Sequence, residues 1–128
     1  MQTGEPLYAD PATGESSTPE QRTHAALAHA LVLLGFFVPL ANIIAPLIFF
    51  LNDKSPGAFV KAHARESLNF QITMLIASVV IVPLCFVLVG IPLLCAQFIF
   101  ELVVVIKAAM AANDGKSYQY PLSLRLLK

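Results

Sequence analysis

This sequence of 128 residues lacks tryptophan and has few charged residues, since Asp, Glu, Lys and Arg together make up 12%. An average soluble domain is about 25% charged. Apolar residues instead make up 57% of the chain. A soluble domain of this length cannot bury so much apolar surface, because small domains leave the largest share of their surface exposed. The composition therefore excludes a soluble enzyme and indicates a membrane protein.

Positive charge is not in excess either, since eight Lys and Arg residues balance eight Asp and Glu residues. A formal net charge of zero provides no basic surface for a phosphate backbone, so we expect no nucleic-acid partner. Cys85 and Cys95 have no neighbouring His, Lys or Arg in the sequence that would activate a thiol. The sequence also lacks a glycine-rich phosphate loop and a serine-centred nucleophile elbow. We therefore expect no enzymatic activity and no cofactor.

The three histidines do not have the spacing of a metal site. His24 and His29 lie about 140° apart around a helix, so they cannot bind one ion from one face. His63 is far from both in the sequence. No group of ligands has the spacing that zinc requires, and we expect no metal.

The chain divides into three parts by composition. Residues 1–18 are polar and rich in Gly, Pro and Ser, which predicts a disordered N-terminal tail. Thr18 and Gln21 have the spacing of a capping box and mark the start of the first helix. We predict a helical membrane domain over residues 19–115 and an interfacial C-terminal segment over residues 116–128.

The first apolar run extends from Ala25 to Leu51 and would be about 40 Å long as a single helix. The apolar core of a bilayer is only about 30 Å thick, and Pro39 and Pro46 interrupt the run. Two interpretations remain open. The run is either one kinked, tilted span or a hairpin with helices to about Val38 and over 41–51.

The second apolar run, Leu68 to Val89, has a good length for one span, with Pro83 expected to kink its far end. A very short turn at Gly90 to Pro92 leads into a final helix that ends at about Ala112, and Gly115 is the expected left-handed residue after it. The pattern predicts an all-α integral membrane bundle of three to four transmembrane helices.

The last residues, from Tyr118 to Lys128, alternate between large apolar residues and mostly smaller or polar ones. A period of two predicts an extended segment with one apolar face. Tyr118, Tyr120 and Arg125 beside a span are typical of an anchor at the membrane interface.

Positive charges cluster in the central connection and at the C-terminal end, and Arg22 alone precedes the first apolar run. The positive-inside rule places the central connection and the C-terminus in the cytoplasm and the Gly90 turn outside. If the first apolar run is a hairpin, all eight cations lie on one side of the membrane and the N-terminal tail is cytoplasmic. If the run is a single span, the N-terminal tail lies on the opposite side.

Two polar residues of the last helix are candidate intramembrane sites. Glu101 lies about 16 Å from Gly90 along the helix, near the middle of a bilayer. A carboxylate there is costly and marks a functional hypothesis, and Gln97 lies one turn earlier on the same face. These residues either hydrogen-bond neighbouring helices together or line a path for an ion, a proton or a substrate.

A second polar set lies on the preceding helix, where Glu66, Asn69 and Thr73 fall within a stripe of about 60°. The stripe is either a polar groove at the cytoplasmic mouth of the bundle or a hydrogen-bond network that fixes the register of the helices. Asn42, near the tip of the first hairpin, has the same two interpretations.

Three motifs resemble those of a known family: PLANIIAPLIFFL at 39–51, HARESLNFQIT at 63–73 and NDGKSYQYPLSLRLLK at 113–128. They are similar to small bacterial membrane proteins of unknown function that are related to the chloroplast TIC-twenty import component and to the magnetosome proteins MamF and MmsF. The likeness covers about residues 20–128. One departure is Ala111, where members often carry Lys.

The resemblance implies a small helical membrane bundle with three to four spans, in the bacterial cytoplasmic membrane. It implies part of a protein-conducting channel for the TIC-twenty relatives and a role in shaping mineral growth for the magnetosome relatives. The chain offers no acidic cluster for iron. We expect a non-enzymatic scaffold or assembly partner, and the alternative is a pore or transport component. The expected partners are the lipid bilayer and other membrane proteins or further copies of the chain.

Overall fold

The computed structural model describes Ala9 and residues 16–38, 40–52 and 58–127. Over these residues it contains four α-helices and no strand, which confirms the prediction of an all-α helical bundle. The helices are α1 (Pro19–Ala30), α2 (Ala41–Asn52), α3 (Phe59–Leu84) and α4 (Gly90–Asn113). Most of the predicted N-terminal tail lies outside the described residues.

Helix α1 begins at the predicted capping box. The Thr18 hydroxyl accepts a hydrogen bond from the Gln21 backbone N–H at 3.2 Å, and the Gln21 side-chain oxygen accepts one from the Thr18 N–H at 2.9 Å. These two bonds satisfy backbone donors that the first turn of a helix leaves unpaired.

The first apolar run forms a hairpin, one of the two arrangements that its sequence left open. After α1 the chain continues as a tighter 3₁₀ helix over Leu31–Phe36, so α-helical bonding stops earlier than the predicted end near Val38. The chain then reverses into α2, and the rings of His24 and Phe49 come within 5.9 Å of each other. Gly35 lies so close to α2 that an added Cβ would be 2.6 Å from the Cβ of Asn42.

The second hairpin joins α3 to α4, and its reversal is not where the sequence predicted it. Helix α3 changes to a 3₁₀ helix over Cys85–Val87, just after Pro83, and Leu88 takes the left-handed conformation with φ of 67°. Gly90 is the first residue of α4 and has no positive φ. A glycine is needed there because a Cβ would lie 2.4 Å from the backbone nitrogen of Cys85.

Helix α4 ends in the predicted left-handed glycine. Gly115 has φ of 76°, and its N–H bonds to the carbonyl of Ala112 at 3.0 Å. The N–H of Lys116 bonds to the carbonyl of Ala111 at 2.9 Å. The two bonds form a complete Schellman motif, which pairs carbonyls that the helix end would otherwise leave free.

The packed core lies at one end of the bundle. It is formed by α1, the first half of α3, the second half of α4 and the C-terminal residues, with the ring of Phe70 stacked on that of Tyr120 at 4.2 Å. Two stretches, Phe59–Val87 and Gly90–Asn113, are long and apolar enough to cross a membrane. Only 17% and 22% of their most apolar windows are buried. A core helix of a soluble protein would be mostly buried, so these exposed apolar faces are suited to lipid.

Candidate functional site

The stripe of Glu66, Asn69 and Thr73 on α3 binds the backbone of the C-terminal segment. A carboxylate oxygen of Glu66 accepts a hydrogen bond from the Tyr120 N–H at 2.6 Å. The amide of Asn69 makes two bonds with Leu127, donating to its carbonyl at 2.9 Å and accepting from its N–H at 2.8 Å.

Thr73 extends this binding to the middle of the segment. Its hydroxyl accepts a hydrogen bond from the Leu124 N–H at 2.9 Å and donates to the Asn69 carbonyl at 2.8 Å. The segment is not extended throughout as predicted, because it turns at residues 121–122, where Leu122 has φ of 60°. No strand lies beside it among the described residues, so its backbone groups need other partners. The polar stripe supplies them, and we call this arrangement the C-terminal clasp: residues 118–127 held by Glu66, Asn69 and Thr73.

Arg125 closes the clasp with a charge. Its guanidinium lies 3.0 Å from the Glu66 carboxylate and also donates to the Tyr120 carbonyl at 3.3 Å. The side chain of Arg125 is 38% exposed and that of Glu66 is 11% exposed. Because one partner is largely desolvated, removal of Arg125 would leave a buried carboxylate without its cation.

The three residues proposed as an interfacial anchor have different environments. Tyr120 is 2% exposed and packs inside the protein, whereas Tyr118 is half-buried and Arg125 is exposed. The apolar side chains that the segment leaves exposed are leucines: Leu122, Leu124 and Leu126.

Tyr120 leads into a chain of buried hydrogen bonds. Its hydroxyl lies 2.7 Å from Nδ1 of His29, Nε2 of His29 lies 2.8 Å from Nδ1 of His63, and Nε2 of His63 lies 2.8 Å from the carbonyl oxygen of Lys116. The side chains come from α1, α3 and the C-terminal segment, so the chain of bonds ties all three together.

The direction of these bonds follows from their last acceptor. A carbonyl oxygen only accepts, so Nε2 of His63 carries a proton. With neutral imidazoles, Nδ1 of His63 then accepts from Nε2–H of His29, and Nδ1 of His29 accepts from the Tyr120 hydroxyl. Burial raises the pKa of Tyr120 well above its usual value of 10, against a smaller lowering effect of the nearby Ser67 side chain, so the hydroxyl stays a donor.

The sequence contains a pattern that indicates this network, next to the stripe of Glu66, Asn69 and Thr73. His63, Ser67 and Gln71 follow one another at four-residue spacing and form a second polar stripe on α3. Ser67 donates to the Ala28 carbonyl on α1 at 2.9 Å. His29 contributes the partner of His63, although its own position in an apolar run gave no indication of one.

Glu101 and Asn42 are brought together by Gln71, which the sequence interpretation had not selected. The Asn42 amide donates to the Gln71 side-chain oxygen at 3.0 Å. The Glu101 carboxyl, 8% exposed, lies beside the Gln71 amide, although the Gln71 Nε2 atom makes no hydrogen bond of regular geometry. The row of three polar side chains connects α2, α3 and α4.

Gln97 is separate from this row and fixes the second hairpin. Its Nε2 donates to the Met74 carbonyl at 3.1 Å and to the Ser78 hydroxyl at 2.9 Å. Both partners are on α3, so Gln97 ties α4 to α3 in the exposed, apolar part of the bundle.

Chemically, these polar groups are arranged to hold helices and backbone in place. Within the described part of the chain, no three His, Cys, Asp or Glu side chains are grouped to hold a metal ion. Cys85 and Cys95 are free thiols. All six candidate intramembrane residues lie in contacts between helices or in the C-terminal clasp.

The profile of the magnetosome magnetite crystal formation protein family (MamF/MmsF) matches residues 20–127 of this chain. The match confirms that part of the resemblance noted in the sequence, and the relation to the TIC-twenty component stays a prediction. Searches of curated proteins and of solved structures each found no significant match.

Proposed function

We propose that this chain, which belongs to the magnetosome magnetite crystal formation protein family, is a multi-pass protein of the bacterial cytoplasmic membrane that acts as a non-enzymatic scaffold or assembly partner. The observation that carries the proposal is the C-terminal clasp. It gives one end of the bundle a fixed surface, made from a segment that would otherwise be a flexible tail.

The membrane location is supported by the distribution of polarity along the two long helices. Large apolar side chains of the second hairpin are highly exposed, with Val79 at 67% and Phe86 at 91%. No charged residue occurs between Ser78 and Gln97. A surface of this kind is stable in lipid and would aggregate in water.

A scaffold is favoured over a conductor because the candidate polar residues contact other helices or the C-terminal segment. Glu66 and Asn69 hold the C-terminal segment, and Glu101 lies beside Gln71. A pore or carrier would instead need such groups along a wet path. The family description names magnetite crystal formation, and a scaffold would contribute by organising partner proteins at the membrane, without binding the mineral itself.

The variant Glu101→Gln distinguishes the two functions. It keeps the size and hydrogen-bonding capacity of the side chain and removes the titratable proton. For a scaffold we expect stability and cellular function equal to the parent, and Glu101→Leu should lower the free energy of unfolding by about 1 kcal/mol through the lost interhelical contact.

Proteoliposome flux and a complementation assay on the same variants complete the test. A Glu101→Gln protein that stays as stable as the parent but loses activity would contradict the scaffold and favour a conductor. Extraction of the full chain from membranes by alkaline carbonate would contradict the multi-pass location independently.

A further inference from the structure

An elongated groove lies between α1 with its 3₁₀ extension and the second half of α4. Its volume is about 420 Å³, within the range of about 300–1,000 Å³ that is typical of small-molecule sites. The walls are apolar, and one end is polar. The walls are formed by Ala30, Leu33, Val105, Ile106, Ala109 and Met110, and the polar end by Asn113 and Asp114.

The groove has the length of one leaflet. From Val105 to Asp114 it follows α4 for about 14 Å, at 1.5 Å per residue. Half of the apolar thickness of a bilayer is about 15 Å. Its polar end coincides with the end of α4, next to the residues that the positive-inside rule places at the cytoplasmic surface.

The polar end is complementary to an amine. Asp114 is the single charged residue among those that line the groove, and the Asn113 amide supplies a further acceptor. Primary ammonium groups form short, charge-assisted hydrogen bonds with carboxylates. The guanidinium of Arg22 lies against the next residue, since a Cβ at Gly115 would be 2.7 Å from its Nε. The headgroup end therefore has both signs of charge, as a zwitterion requires.

We propose that this groove binds one ethanolamine phospholipid, with an acyl chain along the apolar walls and the ammonium group on Asp114. The inference rests on the proposed membrane location. A choline headgroup has no N–H to donate, and a glycerol headgroup with its net negative charge meets a carboxylate. Both should bind more weakly than ethanolamine.

Native mass spectrometry of the full chain in detergent tests the proposal. Palmitoyl-oleoyl phospholipids with ethanolamine, choline or glycerol headgroups are titrated separately. We expect one ethanolamine lipid to be retained at about one tenth of the concentration that the other two require, as one charge-assisted bond would give. Equal retention of all three lipids, or preference for the glycerol lipid, would overturn the headgroup assignment.

Two pairs of variants locate the site. Asp114→Asn should remove the tenfold preference for ethanolamine, whereas Glu20→Gln, an exposed acid on α1, should keep it. Ala109→Phe fills the groove and should abolish retention of every lipid. Val103→Phe, which adds the same ring to an exposed face of α4, should retain them.

The smaller change Ala109→Leu replaces Ala109→Phe if the latter does not fold, as judged by circular dichroism and thermal unfolding. A folded Ala109 variant that binds ethanolamine lipid like the parent would show that the groove is not the lipid-binding site. Lipid binding is measured in detergent and membrane insertion is measured by carbonate extraction. A negative result in one experiment therefore does not imply a negative result in the other.

Discussion

At the scale of single residues, the Tyr120 hydroxyl determines whether the buried histidines are satisfied. It is the donor to Nδ1 of His29, a residue that is 0% exposed to solvent. Tyr120→Phe keeps the ring that stacks on Phe70 and removes the donor. We expect a loss of about 1–3 kcal/mol in the free energy of unfolding, the cost of an unpaired buried polar group.

Chemical unfolding in detergent measures this change. Ser123→Ala is the matched control, because it removes a hydroxyl from the same segment whose bond, to the Leu124 carbonyl at 3.4 Å, is exposed. The control should differ from the parent by less than about 0.5 kcal/mol. Equal stability of Tyr120→Phe and the parent would show that the hydroxyl is not needed.

The same hydroxyl predicts a dependence on alkaline pH. Burial raises the pKa of Tyr120 above that of the unfolded chain. Its contribution to stability is therefore complete below about pH 10 and is lost as the pH rises further, by up to about 1.4 kcal/mol per pH unit. Unfolding between pH 9 and 11 should show a steeper loss for the parent than for Tyr120→Phe. Parallel curves would contradict the prediction.

The sequence predicted which polar residues share a helix face, but it did not predict their partners. The stripe of Glu66, Asn69 and Thr73 is visible as a helical period, and the structure places all three on one partner. That partner could not be found, because the segment 118–127 meets α3 through contacts between residues more than 50 positions apart. The pair of His29 and His63 was missed because the two residues are 34 positions apart in the sequence.

At the scale of elements, the C-terminal segment behaves as part of the core. Deletion of residues 118–128 removes Tyr120 from its buried site and leaves Glu66 and Asn69 without partners. We expect a lower thermal midpoint in detergent and faster proteolysis.

Asn69→Ala, which removes two hydrogen bonds to Leu127, should lower the free energy of unfolding by about 1–3 kcal/mol. Leu122→Ala, at an 81% exposed position, is the control.

Unchanged melting and proteolysis of the deletion variant would show that the segment is merely solvated. If a variant loses the clasp but still folds, the rest of the bundle remains intact. Such a variant would show whether the surface of the C-terminal clasp is needed for binding to partner proteins.

The turn between α3 and α4 needs a glycine at position 90 because there is no room for a Cβ atom, and not because the backbone has a positive φ. An added Cβ would meet backbone atoms, 2.4 Å from the nitrogen of Cys85 and 2.6 Å from the oxygen of Ile81. Gly90→Ala should therefore destabilise the protein by about 1–3 kcal/mol, as overpacking does. Val89→Ala, at an exposed neighbour, should have a small effect. Thermal unfolding in detergent compares the two, and equal midpoints would contradict the prediction.

At the scale of the whole molecule, the helical architecture was predictable because it depends on apolar runs, caps and helix breakers that are local in sequence. Thr18, Gln21 and Gly115 act as predicted. The choice between one span and a hairpin over residues 25–51 was not predictable, because it depends on packing of α2 against α1 and α3. The reversal at Leu88 was missed since a left-handed leucine is rare.

The hairpin brings the start of α1 to the end of α4. A Cβ at Gly115 would lie 3.1 Å from the hydroxyl of Ser17 and 3.0 Å from the guanidinium carbon of Arg22. Arg22, the cation at the start of α1, therefore lies at the same end as the cations that follow α4. With this charge at one end of the bundle, the positive-inside rule favours a cytoplasmic position for Ser16 at the start of the hairpin and for the C-terminal segment, and this orientation is our prediction.

Single cysteines test this orientation in a background with Cys85→Ala and Cys95→Ala. In intact cells, an impermeant maleimide should label Leu88→Cys, at the 72% exposed turn between α3 and α4, and should not label Ser123→Cys or Ser16→Cys. Permeabilised cells should label all three and so provide the control for reactivity. Labelling of Ser123→Cys from outside would contradict the cytoplasmic C-terminus. Labelling of Ser16→Cys alone would mean that the first apolar run crosses the membrane once, against the hairpin.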